Sequence, residues 1–120
     1  WFNACSKQGT QAYPYGDTYT PGQCISVLDA PFAVGVNLKC EGGFPNLFDM
    51  VGNVAEWEDS CDGTMGLDDT CATRGGTWWY GKLSGHQVRC DVPQPEIKRG
   101  DPQGGMGIRC CADVEWTGGE

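Results

Sequence analysis

Cysteines at positions 5, 24, 40, 61, 71, 90, 110 and 111 are the first residues in this 120-residue chain whose types and spacing could do chemistry. Thiolates hold zinc, but zinc ligands usually come as CxxC or CxxH pairs. No such pair is present, and the single histidine, His86, lies apart from all but Cys90. An even count, wide spacing and loop-rich surroundings instead predict a disulfide framework. Such bridges persist in oxidising compartments, so an extracytoplasmic location is expected: secreted, periplasmic or cell-surface. Cys61 and Cys71 flank an acidic loop and are expected to close it. The other pairings stay open, because eight cysteines allow about 105 connectivities.

A second candidate is the run LFDMVGNVAEW at 47–57. Catalytic carboxylates normally act in a positioned pair or beside a nucleophile. No GxSxG or HExxH motif accompanies Glu56, and His86 has no evident triad partners. A metal loop is the better chemical reading. A tight V-G-N-V turn points carbonyls inward, and one carboxylate completes an oxygen cage of the kind calcium takes. The competing reading is that Asn53 and Glu56 only hydrogen-bond the turn while Trp57 packs in the core.

The elements that must position these residues are short. Glycine (19) and proline (7) are abundant, favouring brief strands and many loops. Residues 1–6 read as the end of a helix halted by Gly9. Alternating Phe32, Val34 and Val36 predict a strand, as do 54–57 and 72–80, the last with a break at Gly75-Gly76. HQVRC (86–90) and 105–112 are further candidate strands, and 93–105 reads as a polar loop. No run is long and apolar enough for a transmembrane helix. The first residue is Trp1, so a processed or partial chain is expected.

The formal net charge of −8 argues against a nucleic-acid partner, which needs clustered lysine and arginine. Residues 56–69 carry Glu56, Glu58, Asp59, Asp62, Asp68 and Asp69 with no basic residue, while 74–109 hold six of the eight lysines and arginines. The acidic stretch reads either as a solvated loop or as a calcium-binding surface.

In order along the chain, YPYGD, LFDMVGNVAEW, TRGGTWW, VRC and GMGIRC resemble the formylglycine-generating enzyme (sulfatase-modifying factor) family. The resemblance implies one α+β domain over 1–120, of the family's C-type-lectin-like variant, loop-rich and disulfide-stapled. It also implies that the chain is the C-terminal portion of the family domain, N-terminally incomplete. In the family oxidase, two cysteines bind copper(I) and convert a substrate cysteine to formylglycine. The matching positions are Tyr80 and Gly85, so neither copper binding nor oxidase activity is expected.

The resemblance pairs Cys5 with Cys90. It leaves Cys110 without its family partner, so Cys110 or Cys111 must find Cys24 or Cys40, join another chain or stay free. Cys24–Cys40 is the plausible remaining bridge. Calcium is implied at Val51, Gly52, Val54 and Glu56, with Asn53 also available. At a second family calcium site Cys24 replaces an asparagine, leaving only Asp29. Trp57 and Trp78 are expected in the core, and Arg74 and Arg109 on carboxylates such as Asp49 or on backbone carbonyls. Trp79, Tyr80, His86 and Arg89 are expected to form a ligand surface.

The function expected is a non-catalytic, calcium-stabilised binding or assembly domain with a protein partner or the upstream chain portion. The alternatives are a divergent oxidase with thiols relocated to Cys110 and Cys111, or a lectin-like module for ligand display.

Overall fold

With so many turn-forming residues, the chain spends little of its length in regular structure. A computed structural model describes residues 1–64, 66–101 and 104–110. The elements are helix α1 (Phe2–Cys5), strands β1 (Ala55–Cys61), β2 (Thr70–Arg74), β3 (Ile97–Lys98) and β4 (Met106–Gly107), and three 3₁₀ turns at Leu38–Cys40, Tyr80–Lys82 and Gly85–Val88. The strands form one mixed sheet in the order β3-β2-β1-β4. β1 pairs antiparallel with β2 and parallel with β4, and β3 pairs antiparallel with β2. This is a disulfide-stapled α+β fold.

β1 and β2 form a hairpin whose mouth is set by side-chain chemistry. Glu56 lies opposite Arg74, Trp57 opposite Thr73, and Cys61 opposite Cys71, with an irregularity between Trp57 and Cys61. The connecting acidic loop consumes its own charge. Asp62 accepts from the backbone and hydroxyl of Thr70 at 2.8 and 2.9 Å, and Asp69 accepts from the Gly66 amide at 2.7 Å. Lys98 pairs with Asp68 at 3.0 Å, tying β3 to the loop. Among the described residues no group of three or more His, Cys, Asp or Glu side chains could hold a metal ion.

The core gathers around two bridges. Cys5, Tyr13, Cys24, Cys40, Met50, Val51, Val88 and Cys90 form one buried cluster, edged by Trp1, Leu47 and Tyr80. The structure joins Cys5 to Cys90, Cys24 to Cys40 and Cys61 to Cys71. Cys110 is exposed with no partner among the described residues, and Cys111 lies outside them.

Several expected elements differ. Residues 32–36 form an exposed turn rather than a strand, because Phe32, Val34 and Val36 all face solvent and no buried face selects a pleat. HQVRC is mostly a 3₁₀ turn, with the Ser84 hydroxyl accepting from the His86 amide at 3.1 Å. The third expected strand ends at Arg74, where Gly75 and Gly76 take φ of 86° and 70°. A Cβ at Gly75 would lie 2.6 Å from the Met50 carbonyl oxygen, so the break marks a close backbone approach. The polar loop 93–105 contains β3, and the strand expected at 105–112 is only Met106–Gly107 within the described residues.

In the chain-entropy account, a bridge stabilises more the longer the loop it closes. Cys5–Cys90 spans 85 residues and Cys61–Cys71 spans 10. Replacing both cysteines of the first pair with alanine is expected to cost roughly 4–5 kcal/mol, against about 2–3 kcal/mol for the second. Urea denaturation of the two double variants reads the difference.

Candidate functional site

The segment 47–57 threads the centre of the molecule, and its backbone is shaped for contact. Asp49, Gly52 and Asn53 take positive φ of 55°, 71° and 57°. At Gly52 a Cβ would sit 2.4 Å from the Ile25 carbonyl oxygen, so only glycine fits. Asn53 tolerates the left-handed conformation better than most residues. Its side-chain oxygen accepts from the Phe32 amide at 2.9 Å and its NH₂ donates to the Phe32 carbonyl at 3.0 Å. Its own amide donates to Ile25 and its carbonyl accepts from Trp78. Asp49 accepts from the Gly35 amide at 2.7 Å. These contacts peg the loop 28–38 to the core by its backbone.

Glu56 is only 4% exposed and its carboxylate is fully engaged. The Arg109 guanidinium donates to it through Nε at 2.8 Å and through Nη2 at 2.6 Å, and Nη2 also reaches the Phe48 carbonyl at 2.9 Å. Trp1 Nε1 donates to Oε2 at 2.7 Å. Arg74 pairs with Glu58 at 2.8 Å and not with Asp49. As placed, the set Val51, Gly52, Asn53, Val54 and Glu56 offers calcium no uncommitted side-chain oxygen. A cation binding here through the turn's carbonyls would have to share the only carboxylate of the set with the Arg109 guanidinium. Asp29 is exposed and paired with Lys82, whose hydrogen bond holds its carboxyl below the usual range, and Cys24 is bridged to Cys40.

The positions that the resemblance matches to catalytic thiols are Tyr80 and Gly85, and Tyr19 stands beside the second. Tyr80 lies half-buried against the core. At Gly85 a Cβ would stand 2.3 Å from the Tyr19 ring. The Tyr19 hydroxyl lies 3.2 Å from the Ser26 hydroxyl, and Tyr13 donates to the Gly85 carbonyl at 3.3 Å. Tyr13 stacks on Tyr15 at 5.5 Å, and burial pushes the Tyr15 phenol up to about 12, keeping it neutral. Sequence reasoning misses this tyrosine cluster. The signal for it is the spacing of Tyr13, Tyr15 and Tyr19 within one turn-rich segment.

The expected ligand surface is divided. Trp79 meets Tyr80 edge-on at 5.0 Å, and both line a small cavity of about 140 Å³ over the sheet. Thr77 also lines it, 6% exposed, its hydroxyl unpartnered among the described residues. His86 stands exposed outside that cavity, and Arg89 lines a different cleft while bound to Asp91 through two contacts at 2.8 Å. Trp57 and Trp78 are half-buried and not core residues. Trp57 instead lines two adjoining clefts, one of about 520 Å³ with Trp1, Met50 and Arg109, the other reaching the Cys61–Cys71 bridge. Comparison with protein-family models, curated proteins and solved structures finds no match to the chain.

Glu56→Gln leaves Arg109 without its counter-charge and is expected to lower stability by roughly 2–3 kcal/mol. In the same thermal melts, a rise in Tm with calcium that a chelator reverses would place a cation on the 51–56 turn, and unmoved melts would leave Glu56 as the partner of Arg109 alone. Gly85→Ala drives a methyl group into the Tyr19 ring and is expected to cost about 1–3 kcal/mol. Combining it with Tyr19→Ala should show positive coupling in a double-mutant cycle, with the double variant less destabilised than the sum.

Proposed function

We propose that this chain is a non-catalytic, extracytoplasmic domain of the formylglycine-generating-enzyme family, with that family's C-type-lectin-like variant fold, acting in binding or assembly with a protein partner. The observation that carries the reading is the space at Gly85. A copper(I) centre needs two convergent thiolates. At one matched position there is a tyrosine, and at the other the volume a thiol would occupy is taken by Tyr19. The family motifs support the reading by where they fall: LFDMVGNVAEW runs through the core, and its Glu56 meets the arginine of GMGIRC. Three disulfides and the absence of a membrane-crossing helix among the described residues fit an extracytoplasmic setting. Calcium, which the resemblance implies at Val51, Gly52, Val54 and Glu56 with Asn53 also available, would have to share Glu56 with Arg109.

The test is a direct assay for oxidation. The protein is incubated with copper(I), oxygen and cysteine-containing peptides, and the peptides are weighed by mass spectrometry. No conversion of cysteine to formylglycine is expected. Conversion that disappears on alkylating accessible thiols would replace this reading with that of an oxidase using relocated cysteines.

A further inference from the structure

The cleft of about 520 Å³ beside β1 lies within the range of small-ligand sites, about 300–1,000 Å³. Trp1, Met50 and Trp57 give it an apolar, aromatic lining, and Glu58, Asp59 and Arg109 give it charge. Its walls are fixed before any ligand arrives. Trp1 is held by its indole N–H on Glu56 and packs close to Gly75, where a Cβ would lie 3.2 Å from its ring. Met50 is 1% exposed, and Arg109 is anchored on Glu56 and the Phe48 carbonyl. Ordering the site on binding therefore costs little.

The charge pattern selects the ligand. Arg109 is neutralised by Glu56, and Glu58 by Arg74. Asp59 has no basic partner, although every lysine and arginine of the chain is among the described residues. An anion would have to separate Arg109 from Glu56. A neutral apolar ligand would leave Asp59 unanswered at the mouth. A cation on an apolar body answers both features: its body covers the tryptophan and methionine, and its charge meets Asp59. Indole rings also attract cations, and the chain's net charge of −8 draws them in.

We infer that this cleft binds an organic cation, an ammonium or guanidinium carried on an apolar body. The inference deepens the binding reading above, and the two fail separately: peptide oxidation would overturn that reading and leave this cleft untouched. The test is an NMR titration following the tryptophan indole N–H signals, with phenylethylammonium, neutral phenylethanol and anionic phenylpropionate as matched probes. Phenylethylammonium is expected to bind tightest, with Asp59→Asn weakening it about two- to five-fold. High salt should weaken the cation and spare the alcohol. An N-acetyl-lysine amide arm separates the sources: tighter binding than phenylethylammonium assigns the cation to a partner's side chain, weaker binding to a free amine, and either supports the cation site. Equal binding of the three probes, binding indifferent to Asp59→Asn, or no binding of either cation would overturn it.

Discussion

A carboxylate removed from water costs several kcal/mol unless its oxygens are met by donors. Glu56 is in that position, on the strand at the centre of the sheet. It is met by the Arg109 guanidinium and by the indole of Trp1, which come from opposite ends of the described chain. One buried charge therefore dictates where both ends lie. Once Arg109 is held, β4, which ends two residues before it, lies along β1; once Trp1 is held, α1 is directed to Cys5 and its bridge to Cys90. The neighbouring turn continues the same logic with neutral groups, since Gly52 and Asn53 hold Gly75, Trp78, Ile25 and Phe32 through the backbone. With so short a sheet, these polar contacts supply much of the order that longer strands supply elsewhere.

The legible parts of the sequence were those written in local pattern. The closing of the acidic loop by Cys61 and Cys71 followed from two cysteines flanking it, and β1 and β2 from alternation interrupted by glycines. The close approach at Gly75 was likewise marked by two glycines in a strand. Alternation misled at 32–36, because it predicts a strand only when one face is buried, and there the backbone is satisfied by Asn53 and Asp49 side chains. That Arg109 and Arg74 sit on carboxylates, and Arg109 also on a backbone carbonyl, was legible, but which carboxylates was not. Sequence separations of 53 and 16 leave no local trace, and the candidate carboxylate, Asp49, is instead turned to the Gly35 amide. Of the expected ligand surface, Trp79 and Tyr80 share one cavity, while His86 stands exposed outside it and Arg89 lines another cleft.

The tyrosine-filled space at Gly85 and the cleft at Trp57 bear on function in opposite senses. At the first, the Tyr19 ring occupies the room that a side chain at position 85 would need. At the second, aromatic and charged groups are fixed but leave room between them.

Residues 32–36 are pegged to the molecule through their backbone, while at the ends of the loop the Asp29 carboxylate pairs with Lys82 and the Asn37 side chain donates to the Gln23 carbonyl. Asn53 and Asp49 grip the amides and carbonyl at Phe32 and Gly35, while Phe32, Val34, Val36 and Leu38 are between 53% and 72% exposed. The contacts at Phe32 and Gly35 thus do not depend on which side chains positions 32, 34 and 36 carry. Evolution can rewrite the outward letters of this loop without renegotiating the fold, because the grammar that holds it is written elsewhere in the chain.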